Sequence, residues 1–471
     1  MLPDTPVAEG DGCPGATQAR PVDWPVVAGS RWPWARTSAR SRPAVVRHAE
    51  PRTAPAGDAF PLRYPMTSST PVTPIPPQGP TQAPPFPWVG LLVLAAAVFL
   101  SVTIEMIPTG LLPDMSRELG VGEPLIGLLV TVFAATVVVV TVPLSALTKR
   151  VPRRTLIVIT LAVLAISCVL TAIAPNYPTV VATRILGGAA HGLFWSVVGA
   201  YAGHLVPKEQ LARAVSISVA GGSLAFVLGV PLGTALGQAF GWRLAFAGIG
   251  LLTLVGAVLV QRYLPPVRHH AGEADAAPVH LRSDPTFVSV IVVCLITSVT
   301  MVGAYTFYTY VAPFITDVMA MPASAISPML LAYGIAGALG LVLAGTVLGR
   351  RPTIGLAVAL VSTALGVALL ALFPQVPLVG VAAFLLWGTA FGALPPLLNT
   401  RLLHSASARI RDAAASFYTT AFNVGIGGGA LLGAVLYGVI GLGGLPWVFV
   451  SLLACSTTAL VWTALVNRVH R

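Results

Sequence analysis

The sequence predicts an all-α integral membrane protein whose twelve membrane-spanning helices form two pseudo-symmetric six-helix bundles. Three observations predict it. Of the 471 residues, 55% are hydrophobic and only 9% are charged, with a mean hydropathy of +0.83, whereas an ordinary soluble domain is about 25% charged. Apolar segments of about 20 residues, the length that crosses a bilayer as a helix, follow one another from Trp88 onward. The second half of the chain also repeats the first at a constant offset of 200 residues.

Residues 1–85 are rich in Pro, Ala, Arg, Ser and Thr and have no apolar periodicity. They bury too little to offset ordering entropy and read as a disordered tail. The tail has no signal-peptide core. It holds a polyproline-like stretch from Thr70 to Pro77, a partner-binding feature or dispensable sequence, and Met66 as an alternative translation start. The predicted spans are 88–108, 124–147, 155–174, 178–203, 213–239, 242–261, 286–312, 325–348, 353–373, 377–401, 411–438 and 443–466. An N-terminal bundle then covers 86–262, a linker 263–285 and a C-terminal bundle 286–471.

The net charge of +11 is not spread evenly. Lys149, Arg150, Arg153, Arg154, Lys208, Arg213, Arg262, Arg268 and Arg282 fall in alternate connections, and so do Arg350, Arg351, Arg401, Arg409, Arg411, Arg468 and Arg471. The opposite connections hold only Arg117 and Arg243. This asymmetry places both termini and the linker in the cytoplasm, with the chain in the plasma (inner) membrane. It accounts for the basic charge without a nucleic-acid partner. Cys13, Cys168, Cys294 and Cys455 have no metal or redox spacing.

The repeat superimposes landmarks without a gap. Thr109 and Pro113 fall on Thr309 and Pro313, Arg150 on Arg350, Gly188 and Gly192 on Gly388 and Gly392, and Ser216 on Ser416. Gly229 and Gly233 fall on Gly429 and Gly433. Internal repeats with a site at their interface near the membrane midplane are typical of secondary transporters. The halves differ where charge is concerned: Glu105 falls on Tyr305, Arg184 on Phe384 and His191 on Phe391. Charge chemistry is therefore expected in the first half and apolar substrate contact in the second.

Glu105 is the one acidic residue set well inside a long apolar segment. A charge there costs about 2.5–3.5 kcal/mol on insertion scales, so such a residue faces a bundle interior and is a functional candidate by default. Arg184, Gly188, His191 and Trp195 share one helical face. Burial and a nearby cation pull the protonation of such a carboxyl in opposite senses, making it responsive to conformation. His191 has two readings, a proton relay or a neutral hydrogen-bonded core histidine. Arg184 also has two: it binds an anionic substrate group, or it pairs with carbonyls. Tyr305 and Tyr308 share a face, as do Trp387 and Phe391; with Trp195 and Asn423 they are candidate cavity residues, packing being the alternative for the aromatics. Asn423 is expected either to bond across helices or to touch substrate. No phosphate-binding Gly-rich motif, carboxylate pair or metal-ligand cluster is present.

These residues resemble the major facilitator superfamily, in its twelve-span drug:proton antiporter branch, and are similar to arabinose-efflux-like and chloramphenicol-exporter-like members. The resemblance covers 88–466 and rests on Thr103 to Met115, Ala174 to Tyr177, Arg184 to Gly192, Leu228 to Thr234, Gly241 to Arg243, Tyr308 to Phe314 and Asn423 to Gly425. It implies alternating access between the bundles, driven by the proton gradient without another cofactor. It also implies that the first and fourth spans line the central cavity together, which makes Glu105 the expected partner of Arg184, with proton coupling through Glu105, Arg184 and His191. Gly229, Pro231 and Gly233 match the antiporter motif, but Val230 separates its usual Gly-Pro pair. Arg150, Arg153, Arg154 and Arg350 match the cytoplasmic-loop gate, whose usual acid is absent, Gly349 standing before Arg350. The expected function is proton-coupled export of small, lipophilic or drug-like molecules by a monomer with no enzymatic activity. The alternatives are an exporter of a sugar, nucleoside or amino acid, a passive facilitator, or a non-transporting sensor.

Overall fold

A computed structural model describes residues 86–266 and 283–469. The tail with Cys13 and Met66, together with Arg268, Arg282 and Arg471, lies outside the described residues. Among the described residues twelve helices are long and apolar enough to cross a membrane. They are α1 (Trp88–Leu119), α2 (Glu123–Leu147), α3 (Arg153–Ala172), α4 (Tyr177–His204), α5 (Arg213–Phe240) and α6 (Trp242–Tyr263), then α7 (Phe287–Tyr308), α8 (Ala323–Arg350), α9 (Pro352–Leu372), α10 (Pro377–Ser405), α11 (Ala413–Ile440) and α12 (Leu442–Val466). In lipid a helix satisfies every backbone N–H and C=O within one segment, which is why the apolar runs fold this way.

Two helices end away from their predicted bounds near a proline, and a third keeps its bounds but widens by a turn before one. The first was expected to end at 108, but α1 continues through Pro108 and Pro113 to Leu119. Neighbouring helices supply partners for the carbonyls that proline leaves free, so the helix need not stop. It ends at Gly120, whose φ of 64° lets its N–H reach the Ser116 carbonyl. The seventh span was expected to reach 312, but α7 ends at Tyr308 and resumes as Val311–Pro313 and a wide turn, Phe314–Val318. In α5 a wide turn over Ala225–Gly229 precedes Pro231. Proline cannot donate to the carbonyl four residues back, and a widened turn absorbs the lost bond.

The helices pack as two six-helix bundles, α1–α6 and α7–α12. Their contacts obey the sequence offset. A Cβ at Gly427 of α11 would lie 3.1 Å from Ala134 of α2, and one at Gly334 of α8 would lie 2.6 Å from Val227 of α5. Positions 134 and 334 are repeat equivalents, as are 227 and 427, so the two seams are images of each other. Small residues let the backbones approach there. Thr131 donates to the Gly427 carbonyl at 3.0 Å, and Ser327 donates to the Pro231 carbonyl at 2.9 Å. At the end that holds the α1–α2 turn, Tyr437 donates to Glu123 Oε2 at 2.6 Å, and Gln238 donates to the Ala323 carbonyl at 2.8 Å. The bundles are therefore pinned together at that end.

Both described ends of the linker are tied down. Arg154 donates to the Leu264 carbonyl at 3.0 Å. Asp284 accepts from Thr286 and from Ser407, bonds that hold its carboxyl below the ordinary carboxylate range.

Candidate functional site

Glu105 lies near the middle of α1, whose 32 residues span about 48 Å at 1.5 Å per residue. It is 6% exposed, and Arg184 and His191 of α4 are 1% and 3% exposed. The structure brings these three together, with a division of partners that corrects the expected Glu105–Arg184 pairing. Arg184 donates to the main-chain carbonyls of Ile104 at 2.8 Å and Glu105 at 2.9 Å. His191 Nε2 is the nitrogen facing the Glu105 carboxylate, 3.5 Å from Oε2.

The geometry of antiparallel helices explains the division. Side chains lean toward the N-terminus of their own helix, while carbonyls point toward the C-terminus. The Glu105 carboxylate therefore leans toward the N-terminal end of α1 and its carbonyl points toward the C-terminal end. On α4, running the other way, Arg184 lies nearer the C-terminal end of α1 than His191 does, by about 10 Å. Arg184 therefore meets carbonyls and His191 meets the carboxylate. Pro108 completes the arrangement, because it has no N–H to donate to Ile104, the residue four positions back. The guanidinium takes that acceptor and lies 4.2 Å above the Phe133 ring.

Ser101, one turn before Glu105 on α1, places its hydroxyl 2.8 Å from His191 Nδ1. A serine hydroxyl donates or accepts. It can thus hold Nδ1 in the neutral ring, with Nε2–H toward Glu105, or accept from Nδ1–H in the charged ring. Ser101 is thus hydrogen-bonded to His191, which in turn faces Glu105 at 3.5 Å in a dry interior.

Gly229, Gly233 and Gly237 of α5 lie flush against Thr103, Ile107 and Leu111 of α1. The two rows match at intervals of four, one helical turn, so side chains on α5 would push α1 away. The antiporter-motif glycines thus seat the helix that carries Glu105. Pro231 between them accepts from Ser327 across the bundle seam.

Tyr305 and Tyr308 are each 4% exposed, with ring centroids 6.0 Å apart. Tyr305 is within electrostatic reach of Glu105. Trp387 is fully buried behind them, its ring 6.2 Å from Tyr308. Trp195 and Phe391 are half-buried, Trp195 with its ring 6.2 Å from His191. Asn423 does not bond across helices: it donates at 3.0 Å to the Thr419 carbonyl of its own helix, the acceptor nearest to it. Around the α2–α3 and α8–α9 connections Arg150 and Arg350 are exposed and Arg153 is half-buried; Arg154 is taken up by the Leu264 carbonyl.

Sequence reasoning missed Ser101, Phe133 and Tyr333. The signal for Ser101 was its spacing of four from Glu105. For Phe133 and Tyr333 it was their equivalence, ring on ring, under the 200-residue offset.

The Tyr437–Glu123 bond links the bundles outside this site and has a measurable consequence. Tyr437→Phe removes a hydrogen bond to a carboxylate, worth about 1.5–3 kcal/mol. Leu330, 1% exposed at the bundle seam, reports on it. In a cysteine-free background, Leu330→Cys is expected to react about tenfold faster with an impermeant maleimide from outside when Tyr437→Phe is present. Unchanged labelling would remove the bond from the outer closure.

The family model of the Major Facilitator Superfamily matches residues 94–430. The chain is 33% identical over 354 residues to a chloramphenicol efflux pump of Mycobacterium tuberculosis strain CDC 1551, covering 74% of this chain and 85% of that protein. The corresponding pump of Mycobacterium tuberculosis strain H37Rv is 33% identical over 356 residues, with the same coverage. Among solved structures, a bacterial homologue of the human lysosomal transporter Spinster, inward-facing and occupied, superposes with a TM-score of 0.64 at 16% identity, over 82% of this chain and 97% of that one. The nucleoside transporter NupG gives 0.64 at 13% identity, over 79% and 99%. Twelve spanning helices, a two-fold sequence repeat carried into the bundle seams, and matches over most of the length agree: the chain is a multi-pass membrane transporter, not an enzyme, and belongs to the Major Facilitator Superfamily.

Proposed function

We propose that this transporter exports neutral, lipophilic drug-like molecules of the chloramphenicol kind in exchange for protons, across the plasma membrane and as a monomer. The observation that carries the reading is the Ser101–His191–Glu105 chain buried between repeats, with tyrosines opposite. A passive facilitator has no use for a carboxyl and a guanidinium held dry at mid-membrane, where each opposes folding. In the proposed cycle Glu105 accepts a proton while the outer side is open. His191 then rotates between Ser101 and Glu105 as the bundles rock, and the proton leaves to the cytoplasm when substrate enters. Arg184, fixed to carbonyls, supplies a constant positive field beside the carboxyl without consuming it as an ion-pair partner. The proton gradient is the energy source, both termini face the cytoplasm, and no nucleic acid is involved. Export of a sugar, nucleoside or amino acid is the second transport reading; the ring-lined wall opposite Glu105 favours a lipophilic cargo over it.

The test is a drug-susceptibility panel in an efflux-deficient host, paired with proton release from purified protein. Chloramphenicol resistance and chloramphenicol-induced proton release are the expected results. Resistance without proton release would remove the antiport, and neither response would remove the drug-export reading.

A further inference from the structure

The 200-residue offset carries the charge cluster onto a cluster of rings. Glu105, Phe133, Arg184 and His191 become Tyr305, Tyr333, Phe384 and Phe391, while Pro108 becomes Tyr308 and Gly187 becomes Trp387. The ring cluster is graded by polarity. Behind Trp387 stand phenylalanines: Phe307 stacks on it at 5.0 Å, and Phe384 meets it edge-on at 5.3 Å. In front stand tyrosines, with Tyr333 at 4.8 Å from Trp387 and 5.4 Å from Tyr308.

Tyr305, Tyr308 and Tyr333 are each no more than 5% exposed. Among the described residues their hydroxyls make no hydrogen bond to protein and are not fully enclosed, whereas Trp387 Nε1 is fully enclosed without a partner. Buried phenols ordinarily find a partner, and unpaired polar groups in a native interior call for an explanation. Phenylalanine would fill the same space without an unpaired hydroxyl, as it does at the rear of the cluster. The unpaired donors belong to the front, where Tyr305 is within electrostatic reach of Glu105 and Phe226 of α5 meets Tyr308 at 6.2 Å. That front is the bundle seam at the level of the charge cluster.

We propose that Tyr305, Tyr308 and Tyr333, backed by Trp387, form a donor-lined aromatic slot for a flat, uncharged ring bearing hydrogen-bond acceptors such as nitro or carbonyl groups. This rests on the drug-export reading and sharpens it to a charge class. Phenol hydroxyls donate to such acceptors, and the surrounding rings hold the plane of the ligand. Glu105 is the only buried carboxyl within the described spans, and His191 and Arg184 already neighbour it. The slot itself carries no acidic side chain, so it offers a permanent organic cation no counter-charge of its own.

The test compares wild type, Tyr308→Phe, Tyr333→Phe and the double variant, purified in detergent. Equilibrium dialysis measures chloramphenicol, a neutral nitroaromatic, and tetraphenylphosphonium, a permanent cation. Each single substitution keeps the ring and removes one donor, so chloramphenicol affinity is expected to fall about tenfold, and further in the double variant. Tetraphenylphosphonium is expected to bind wild type poorly and to be indifferent to both changes. Thermal unfolding identifies a misfolded double variant, in which case the single variants decide. Chloramphenicol affinity within about twofold of wild type in folded variants overturns the slot and leaves drug export standing. Equally tight binding of the cation overturns the charge class. If wild type neither binds nor exports chloramphenicol, the export reading falls and the slot with it.

Discussion

Glu105→Gln is expected to abolish pH-driven transport while leaving substrate binding within a few-fold of wild type. Glutamine keeps the volume and hydrogen-bonding capacity of the side chain, and its amide still reaches His191. It cannot take up or release a proton near neutral pH. Relayed proton transfer contributes on the order of 100-fold or more to the rate of a step that depends on it. Gradient-driven export in proteoliposomes should therefore drop by at least about that factor. Counterflow without a gradient should persist, because exchange of labelled for unlabelled substrate needs no net proton movement. His191→Gln should show a weaker form of the same defect. It removes the ring that links Ser101 to the carboxyl but leaves the carboxyl itself. Full gradient-driven export by Glu105→Gln would end the assignment, whatever the fate of His191.

The elements of this site differed in how openly the sequence displayed them. Glu105 was legible because a lone acid in an apolar run is conspicuous, and Arg184 and His191 because seven residues make nearly two helical turns. The partner of each was not legible. Whether Arg184 meets a carboxylate or a carbonyl depends on the axial rotation and relative height of α1 and α4, set by packing far from the residues themselves. Part of that packing was visible in the spacing of Gly229, Gly233 and Gly237, but not its target on α1. The spans were legible from hydropathy except at proline. Pro108 and Pro113 suggested an end to the first span, yet buried helices tolerate proline when neighbours satisfy the freed carbonyls. The repeat was the most informative signal. The offset that aligns prolines and glycines also aligns the seam contacts at 134/427 and 334/227. It placed Tyr333 opposite Phe133 as well, a correspondence hidden by looking only for charge.

Arg184→Met is expected to be among the most destabilising single changes in the chain, and Pro108→Ala is expected to relieve part of the damage. Arg184 is 1% exposed and donates to two carbonyls of α1. Methionine fills much of the space but donates nothing, so the Ile104 carbonyl loses its partner in a dry interior. Leaving a buried carbonyl without its partner costs about 1–3 kcal/mol. Lysine in place of Arg184 should recover little, since a single ammonium cannot fork between adjacent carbonyls. Alanine at 108 restores an N–H at the position from which a helix bonds the carbonyl four residues back. In the Pro108→Ala background that N–H caps Ile104, and loss of Arg184 leaves one fewer orphan. A double-mutant cycle on thermal unfolding in detergent should therefore show coupling of about 1–2 kcal/mol, within the range for residues sharing one acceptor. Gradient-driven export should not return in the double variant, because the positive field beside Glu105 is still missing. Strict additivity of the two substitutions would mean that proline does not hold the acceptor open for Arg184, and the account of how α1 and α4 lock together would fail with it.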